Sequence, residues 1–285
     1  MCRWLAYQGP EIYLADLIVR PTHSLLVQSQ FAQENFVDDM PDHMGAALPT
    51  NGDGFGIGWY GEMEKPGRYR ELRPAWSDEN LISIASSVKS RMFLAHLRAA
   101  NRGLVQRSNS HPFTEGKWLF QHNGEIIGFR QVHRAMAMHV APSYFNCIQG
   151  TTDSELMFYM ALSAGLDKHP RQALEIMVGT VEAELKEAGC DGLVRLTCAL
   201  ADGERIFAVR YASAGEAKSL YRNKDDRALV EVAKGAEYEL PEGGRLLVSE
   251  PLDYRCEHWE VVPGNSFVWM QDGRIEIEPF RPRTP

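Results

Sequence analysis

Apolar residues along this chain recur in two rhythms. Short runs of aliphatic, β-branched and aromatic residues, bounded by glycine and polar clusters, predict strands at Gly54 to Tyr60, Met92 to Leu97, Trp118 to Gln121, Leu193 to Ala201, Arg205 to Tyr211 and Arg245 to Val248. Asp202-Gly203 separates two of these runs, and Asp272-Gly273 separates Ser266–Met270 from Ile275–Ile277. Asp-Gly readily takes the positive φ angles of a tight hairpin, so both are predicted to be hairpin turns. Elsewhere the apolar spacing is helical. Ser77 is expected to cap a helix through Leu81, Ile84 and Val88, with Asp78 and Glu79 in its first turn. A second helix begins near Asp153 and carries Leu156, Met157, Tyr159, Met160 and Leu162. A third runs from Pro170 to Gly189, with Leu174, Met177, Val178, Val181 and Leu185 at helical spacing. The tail after Pro279 is rich in Pro and Arg and is expected to be loosely held. Strands towards both ends with helices between them predict a single α+β domain over residues 1–285.

Composition narrows the partners. With 285 residues, 44% of them hydrophobic, the chain can bury a sizeable core. Its formal net charge of -8, without a basic stripe, argues against nucleic acid as a partner. No apolar run approaches the roughly 20 residues that span a bilayer, so no membrane association is expected. The cysteines stand at positions 2, 147, 190, 198 and 256, with no CxxC pair. That spacing predicts neither a metal site nor a redox dithiol, no cofactor is expected, and a reducing, cytoplasmic location is expected.

Several segments carry chemistry. If Met1 is removed, Cys2 holds a thiol and a free α-amine on adjoining carbons. An α-amine has a pKa of roughly 7.7–8.0, so nucleophile and general base would be one residue. By itself such a cysteine is more often an incidental residue near a chain end. Phe120-Gln121-His122-Asn123-Gly124-Glu125 reads as a strand ending in an Asn-Gly turn. Asn-Gly is a common tight turn, yet an Asn amide and a Gly N–H can also form an oxyanion hole. Arg98, after Ala95-His96-Leu97, is either a solvated cation or a fork for a carboxylate. Asp153 is either a helix-terminal acid or a carboxylate left free for a substrate ammonium. His111, in Asn109-Ser110-His111-Pro112-Phe113, is a structural histidine or a further substrate contact. Ala99 to Ser110 is polar, lies between two of these groups and is expected to act as a lid.

The order of these segments is informative. Cys2, Asn51-Gly52-Asp53-Gly54-Phe55-Gly56, His96-Leu97-Arg98, His111-Pro112, His122-Asn123-Gly124 and Thr152-Asp153-Ser154-Glu155 follow one another as in the glutaminase domain of class II glutamine amidotransferases, which the chain resembles. It is most similar to two stand-alone branches: the amidotransferase-like subunit of the eukaryotic glutathione-degrading complex and the γ-glutamyl hydrolase of ergothioneine biosynthesis. Arg20-Pro21-Thr22-His23-Ser24, Pro74-Ala75-Trp76, Ile148-Gln149-Gly150 and Ser249-Glu250-Pro251-Leu252 extend the match over nearly the whole chain. The resemblance implies a four-layer αββα sandwich of the N-terminal-nucleophile hydrolase type. It also implies Cys2 as nucleophile, Asn123 and Gly124 as oxyanion hole, and Arg98 and Asp153 as partners of a substrate α-carboxylate and α-ammonium. Synthase-coupled members commonly place Trp after this Arg, followed by Ala-Thr; here Ala99 is followed by Ala100-Asn101. The smaller residue leaves room for a leaving group larger than ammonia. The expectation is hydrolysis of a γ-glutamyl amide, alone or with a peptidase. The alternatives are a glutaminase subunit feeding ammonia to a separate synthase, a non-catalytic scaffold, and a cysteine amidase of the bile-salt and penicillin type.

Overall fold

Strands that are apolar on both faces need cover on both sides. The computed structural model describes residues 2–34, 50–100, 104–224, 229–232 and 235–284. Its first strands are β1 (Arg3–Tyr13), β2 (Phe55–Trp59), β3 (Gly67–Glu71), β4 (Lys89–Leu97), β5 (Phe113–Glu115) and β6 (Trp118–Ile126). Next come β7 (Val194–Ala201), β8 (Ile206–Ala212), β9 (Tyr221–Asn223), β10 (Leu229–Glu231) and β11 (Glu237–Glu239). The last are β12 (Arg245–Val248), β13 (Trp259–Val261), β14 (Ser266–Gln271) and β15 (Arg274–Pro279). A seven-stranded antiparallel sheet has the order β13-β9-β12-β1-β4-β2-β3, and a six-stranded one the order β15-β14-β8-β7-β6-β5. The helices are α1 (Ala15–Ile18), α2 (Leu25–Phe31), α3 (Glu79–Ser87), α4 (Phe129–Met138), α5 (Pro142–Phe145), α6 (Asp153–Ser163) and α7 (Pro170–Glu187).

Three apolar layers assemble these elements. Trp4 and Ala6 of β1, Met92 and Leu94 of β4, Leu119 of β6, and Ala199 and Ala201 of β7 join one cluster between the sheets. The alternating residues Leu5, Tyr7, Phe93 and Ala95 face outwards onto Leu17, Leu25 and Leu81 of α1–α3. Phe120, Leu196, Leu200 and Val209 face the other way, onto Val132, Leu156, Met177 and Val181 of α4, α6 and α7. The strand period of two therefore sends side chains into two different cores, and the result is the expected αββα sandwich.

The structure departs from expectation at four places. Asp78, not Ser77, caps α3, its carboxylate accepting from Leu81 N–H at 2.7 Å. Asn123-Gly124 is not a turn: β6 continues to Ile126, and Asn123 pairs with Thr197 and Gly124 with Leu196 of β7. The tail is held, because Phe280 is buried and Arg283 pairs with Glu175 of α7 at 2.7 Å. A β-carbon on Gly179 would come within 2.1 Å of Arg283 O, so α7 must present glycine where the tail crosses it. Helix α4 had no clear sequence signal, because only Val132 and Met136 of its ten residues are buried.

Candidate active site

Strand register gathers the candidate residues. Arg3 lies opposite Leu97, which sets Cys2, just before β1, beside the end of β4 from which Arg98 emerges. The second sheet is tied to this edge by buried hydrogen bonds. Trp4 Nε1 donates to Thr197 O (3.2 Å), Gln121 Nε2 to Leu5 O (2.9 Å), and His96 Nε2 lies 3.0 Å from His122 O. Thr152 caps α6 by accepting from Glu155 N–H, so Asp153 is the first helical residue. A cleft of about 670 Å³ opens here. Cys2, Arg98, His111, Asn123, Gly124 and Asp153, every residue singled out above, line it.

Each group has a distinct setting. The Cys2 thiol is half-buried, 3.9 Å from Ala99 O. Arg98 is 5% exposed. Its Nη2 donates to Leu104 O at 3.1 Å, while its Nη1 is buried without a partner among the described residues. Unpaired buried donors are costly and uncommon, so this one calls for an acceptor. Asn123 is buried at the cleft wall, and no hydrogen bond holds its side-chain amide among the described residues. A β-carbon at Gly124 would lie 2.0 Å from Arg195 O, so only glycine lets β6 pass β7 this closely. Asp153 is not left free, as one of its two readings had it: Oδ2 accepts from Ile126 N–H (3.0 Å) and Oδ1 from Ser154 N–H (2.7 Å) and Oγ (3.1 Å). A carboxylate accepts about four hydrogen bonds, so these three fix its direction and leave capacity for a further donor.

A string of buried histidines joins the site residues, which sequence reading had not anticipated. His96, two residues before Arg98, touches His122; His122, next to Asn123, places Nδ1 2.8 Å from Ser154 Oγ, next to Asp153. His111 stacks on His96 with ring centroids 4.1 Å apart, and neither of its nitrogens has a partner among the described residues. Burial lowers the pKa of all three, to about 3 for His96, well below the usual range for His111, and downwards for His122 despite the nearby Asp153 charge. A folded-state pKa below the unfolded one gives stability that is complete above pH 6.5 and lost as pH falls through that value. Three such histidines contribute up to about 4 kcal/mol per pH unit. The melting temperature is therefore expected to drop by about 10 °C or more between pH 7.5 and pH 5. A flat profile in a scanning calorimeter over that range would contradict neutral burial. Glu250 does not interfere: burial raises its pKa, but His23 and Arg3 outweigh this and hold it at about 2, so its contribution is lost only below pH 4.5.

Sequence reading did not anticipate that Arg3, His23 and Glu250 meet beside Cys2, although His23 and Glu250 stand in motifs of the resemblance. Arg3 Nη1 donates to Cys2 O (2.9 Å), and Arg3 Nε pairs with Glu250 (2.6 Å), itself 2.5 Å from His23 Nε2. The available signal was charge inside an apolar strand, since Arg and Glu are almost never fully buried unless paired. Asp53 was quoted only within a motif, yet its Oδ2 accepts from Ala100 N–H at 2.7 Å and holds the chain after Arg98. Of the expected lid, residues 101–103 lie outside those described. Asn109 and Ser110 at its end are buried, and Asn109 Nδ2 donates to Thr151 Oγ1 at 3.1 Å. Among the described residues no cluster of three metal-ligating side chains gathers, and no helix is long and apolar enough to cross a membrane.

Two antiparallel sheets between helical layers, with a cysteine at the head of a central strand, define a class of amidohydrolase, and residues 42–283 match the family of class II glutamine amidotransferases. The chain belongs to that family and is an enzyme of it. It is 31% identical to the probable glutamine amidotransferase DUG3 of Saccharomyces cerevisiae, over 98% of this chain and 84% of that one. It is 28% identical to the gamma-glutamyl-hercynylcysteine sulfoxide hydrolase of Mycolicibacterium smegmatis, over 98% of this chain and 100% of that one. Among solved structures it resembles a glutamine aminotransferase class-II domain protein from Silicibacter pomeroyi, at 29% identity and a TM-score of 0.71, covering 99% and 100% of the two chains.

Proposed function

We propose that this chain hydrolyses a γ-glutamyl amide, of glutamine or of a γ-glutamyl peptide or thiol, and releases glutamate through a γ-glutamyl thioester. The observation that carries the reading is Arg98, which lines the same cleft as Cys2 and whose buried Nη1 has no partner among the described residues. A buried guanidinium with a spare donor suits a carboxylate. Asp153, with capacity for one more donor, suits the α-ammonium beside it. A free amino-acid end would thus be paired at both charges, and its γ-carbonyl would reach Cys2. After removal of Met1, the α-amine accepts the thiol proton and the thiolate attacks the carbonyl. The Asn123 amide and Gly124 N–H hold the oxyanion. The ammonium returns its proton to the departing nitrogen, and water then cleaves the thioester. The relatives' names support this chemistry, one being a gamma-glutamyl-hercynylcysteine sulfoxide hydrolase and another a probable glutamine amidotransferase. Ala99 beside the cleft favours a leaving group larger than ammonia over transfer to a synthase. Residues 1–285 would act as one glutaminase-type domain, in the cytoplasm, where the five free thiols stay reduced.

The test is a mass-spectrometric screen of glutamine, glutathione and γ-glutamyl dipeptides for released glutamate, run beside Arg98→Lys. At least one compound is expected to yield glutamate. Arg98→Lys is expected to cut kcat/KM by about 10-fold or more, because a point charge replaces a fork. Release from none of them, or an Arg98→Lys enzyme of full activity, would refute the assignment.

A further inference from the structure

A nucleophile that is also the chain terminus has few handles. In the mature protein Cys2 has no preceding peptide bond, and the β1 ladder with β4 begins at Arg3. The Cys2 carbonyl is then its principal backbone anchor. That carbonyl accepts from Arg3 Nη1 at 2.9 Å, the side chain of the next residue. Such a local bond orients nothing unless the guanidinium is itself held. Arg3 is 1% exposed, and its Nε pairs with Glu250 Oε2 at 2.6 Å. Glu250 is 2% exposed and lies just beyond β12, the strand next to β1 on the side away from β4. Its Oε1 lies 2.5 Å from His23 Nε2 and accepts from Gln33 N–H at 2.8 Å; its Oε2 also accepts from Glu34 N–H at 3.2 Å. These contacts engage both oxygens, and the carboxylate is fixed from four sides.

We infer that Glu250 and Arg3 are positioning residues for the nucleophile, a buried relay that sets the direction of the Cys2 thiol and α-amine from a strand remote in sequence. This rests on the reading of Cys2 as nucleophile. A buried ion pair is a poor source of net stability, since desolvation offsets its attraction. The relay ends on a backbone atom of Cys2, and among the described residues neither Arg3 nor Glu250 hydrogen-bonds or ion-pairs with Arg98 or Asp153. Orientation by misplaced groups can cost about 10²-fold in rate without loss of binding.

The test uses Arg3→Lys, which keeps the charge opposite Glu250 but lacks the fork that reaches Cys2 O, and Glu250→Gln. In the full-length enzyme Arg3→Lys is expected to lower kcat by about 10²-fold. The affinity for glutamate, measured by calorimetry, is expected to stay within about twofold, because the head-group contacts are untouched. Iodoacetamide alkylation of Cys2, followed by peptide mass spectrometry with Cys256 as internal reference, is expected to change in rate in both variants. In Arg3→Ala, added methylguanidine is expected to restore part of the lost kcat. Wild-type kcat and Cys2 alkylation in Arg3→Lys overturn the relay. So does a parallel loss of kcat and glutamate affinity with no chemical rescue, the signature of a merely structural pair. A wild-type enzyme that releases glutamate from no γ-glutamyl compound refutes the proposed function, whereas the alkylation rates still decide the relay. Should Glu250→Gln fail to fold, Arg3→Lys alone decides it.

Discussion

Cys2→Ala is expected to abolish glutamate release, by at least about 10³-fold, while leaving the fold intact. The thiol is half-buried, belongs to none of the three apolar clusters, and lies 3.9 Å from Ala99 O. Its loss therefore removes little packing, and the melting temperature should move by about 2 °C at most. Cys2→Ser should retain slow turnover, since a hydroxyl is far less acidic than a thiol. Met1 lies outside the described residues, but intact-mass analysis of the active enzyme should show its loss, because the α-amine is the base the mechanism requires. A diazoketone analogue of glutamine should label Cys2 alone. Cys198 is fully buried and burial pushes its thiol up to about 12, which makes it a poor competitor. Full activity in Cys2→Ala, or labelling of another cysteine, would remove the basis of the mechanism.

Asn123→Ala is expected to lower kcat by about 10²–10³-fold with KM nearly unchanged, the pattern of a group that acts only when charge develops on the carbonyl oxygen. The substitution should fold, because no hydrogen bond to a neighbouring side chain is given up among the described residues. Gly124→Ala should behave differently. Its β-carbon would lie 2.0 Å from Arg195 O and 2.5 Å from His122 Nε2, so β6 and β7 would have to separate. Loss of soluble protein or a large fall in melting temperature is expected, and its activity would say nothing about the oxyanion. Steady-state kinetics on Asn123→Ala is thus the informative measurement, and an unchanged kcat would dismiss the oxyanion role.

The fates of these two neighbours show where reading the chain succeeded and where it stopped. Apolar runs and Asp-Gly turns were sufficient for most long strands and for α3, α6 and α7, because those elements follow from local spacing. Motif order was sufficient for the family and for six residues that line one cleft. Strand β1 escaped because both its faces are buried, which erases the polar-apolar alternation that reveals a strand. Asn123-Gly124 was taken for a turn because local propensity cannot register the β7 backbone that keeps the pair extended. Of the two readings of Asp153, helix-terminal acid or free carboxylate, the sequence could not choose, because Ile126 N–H, its partner, is remote in sequence. Glu250 and Arg3 are separated by nearly the whole chain and meet because β12, which Glu250 follows, pairs with β1. Residue types and their order, which the sequence carries, determined what chemistry is available. Burial and partnership depend on what other strands bring alongside, and only the tertiary structure decided which donors are satisfied, which have no partner among the described residues, and which side chains meet beside Cys2.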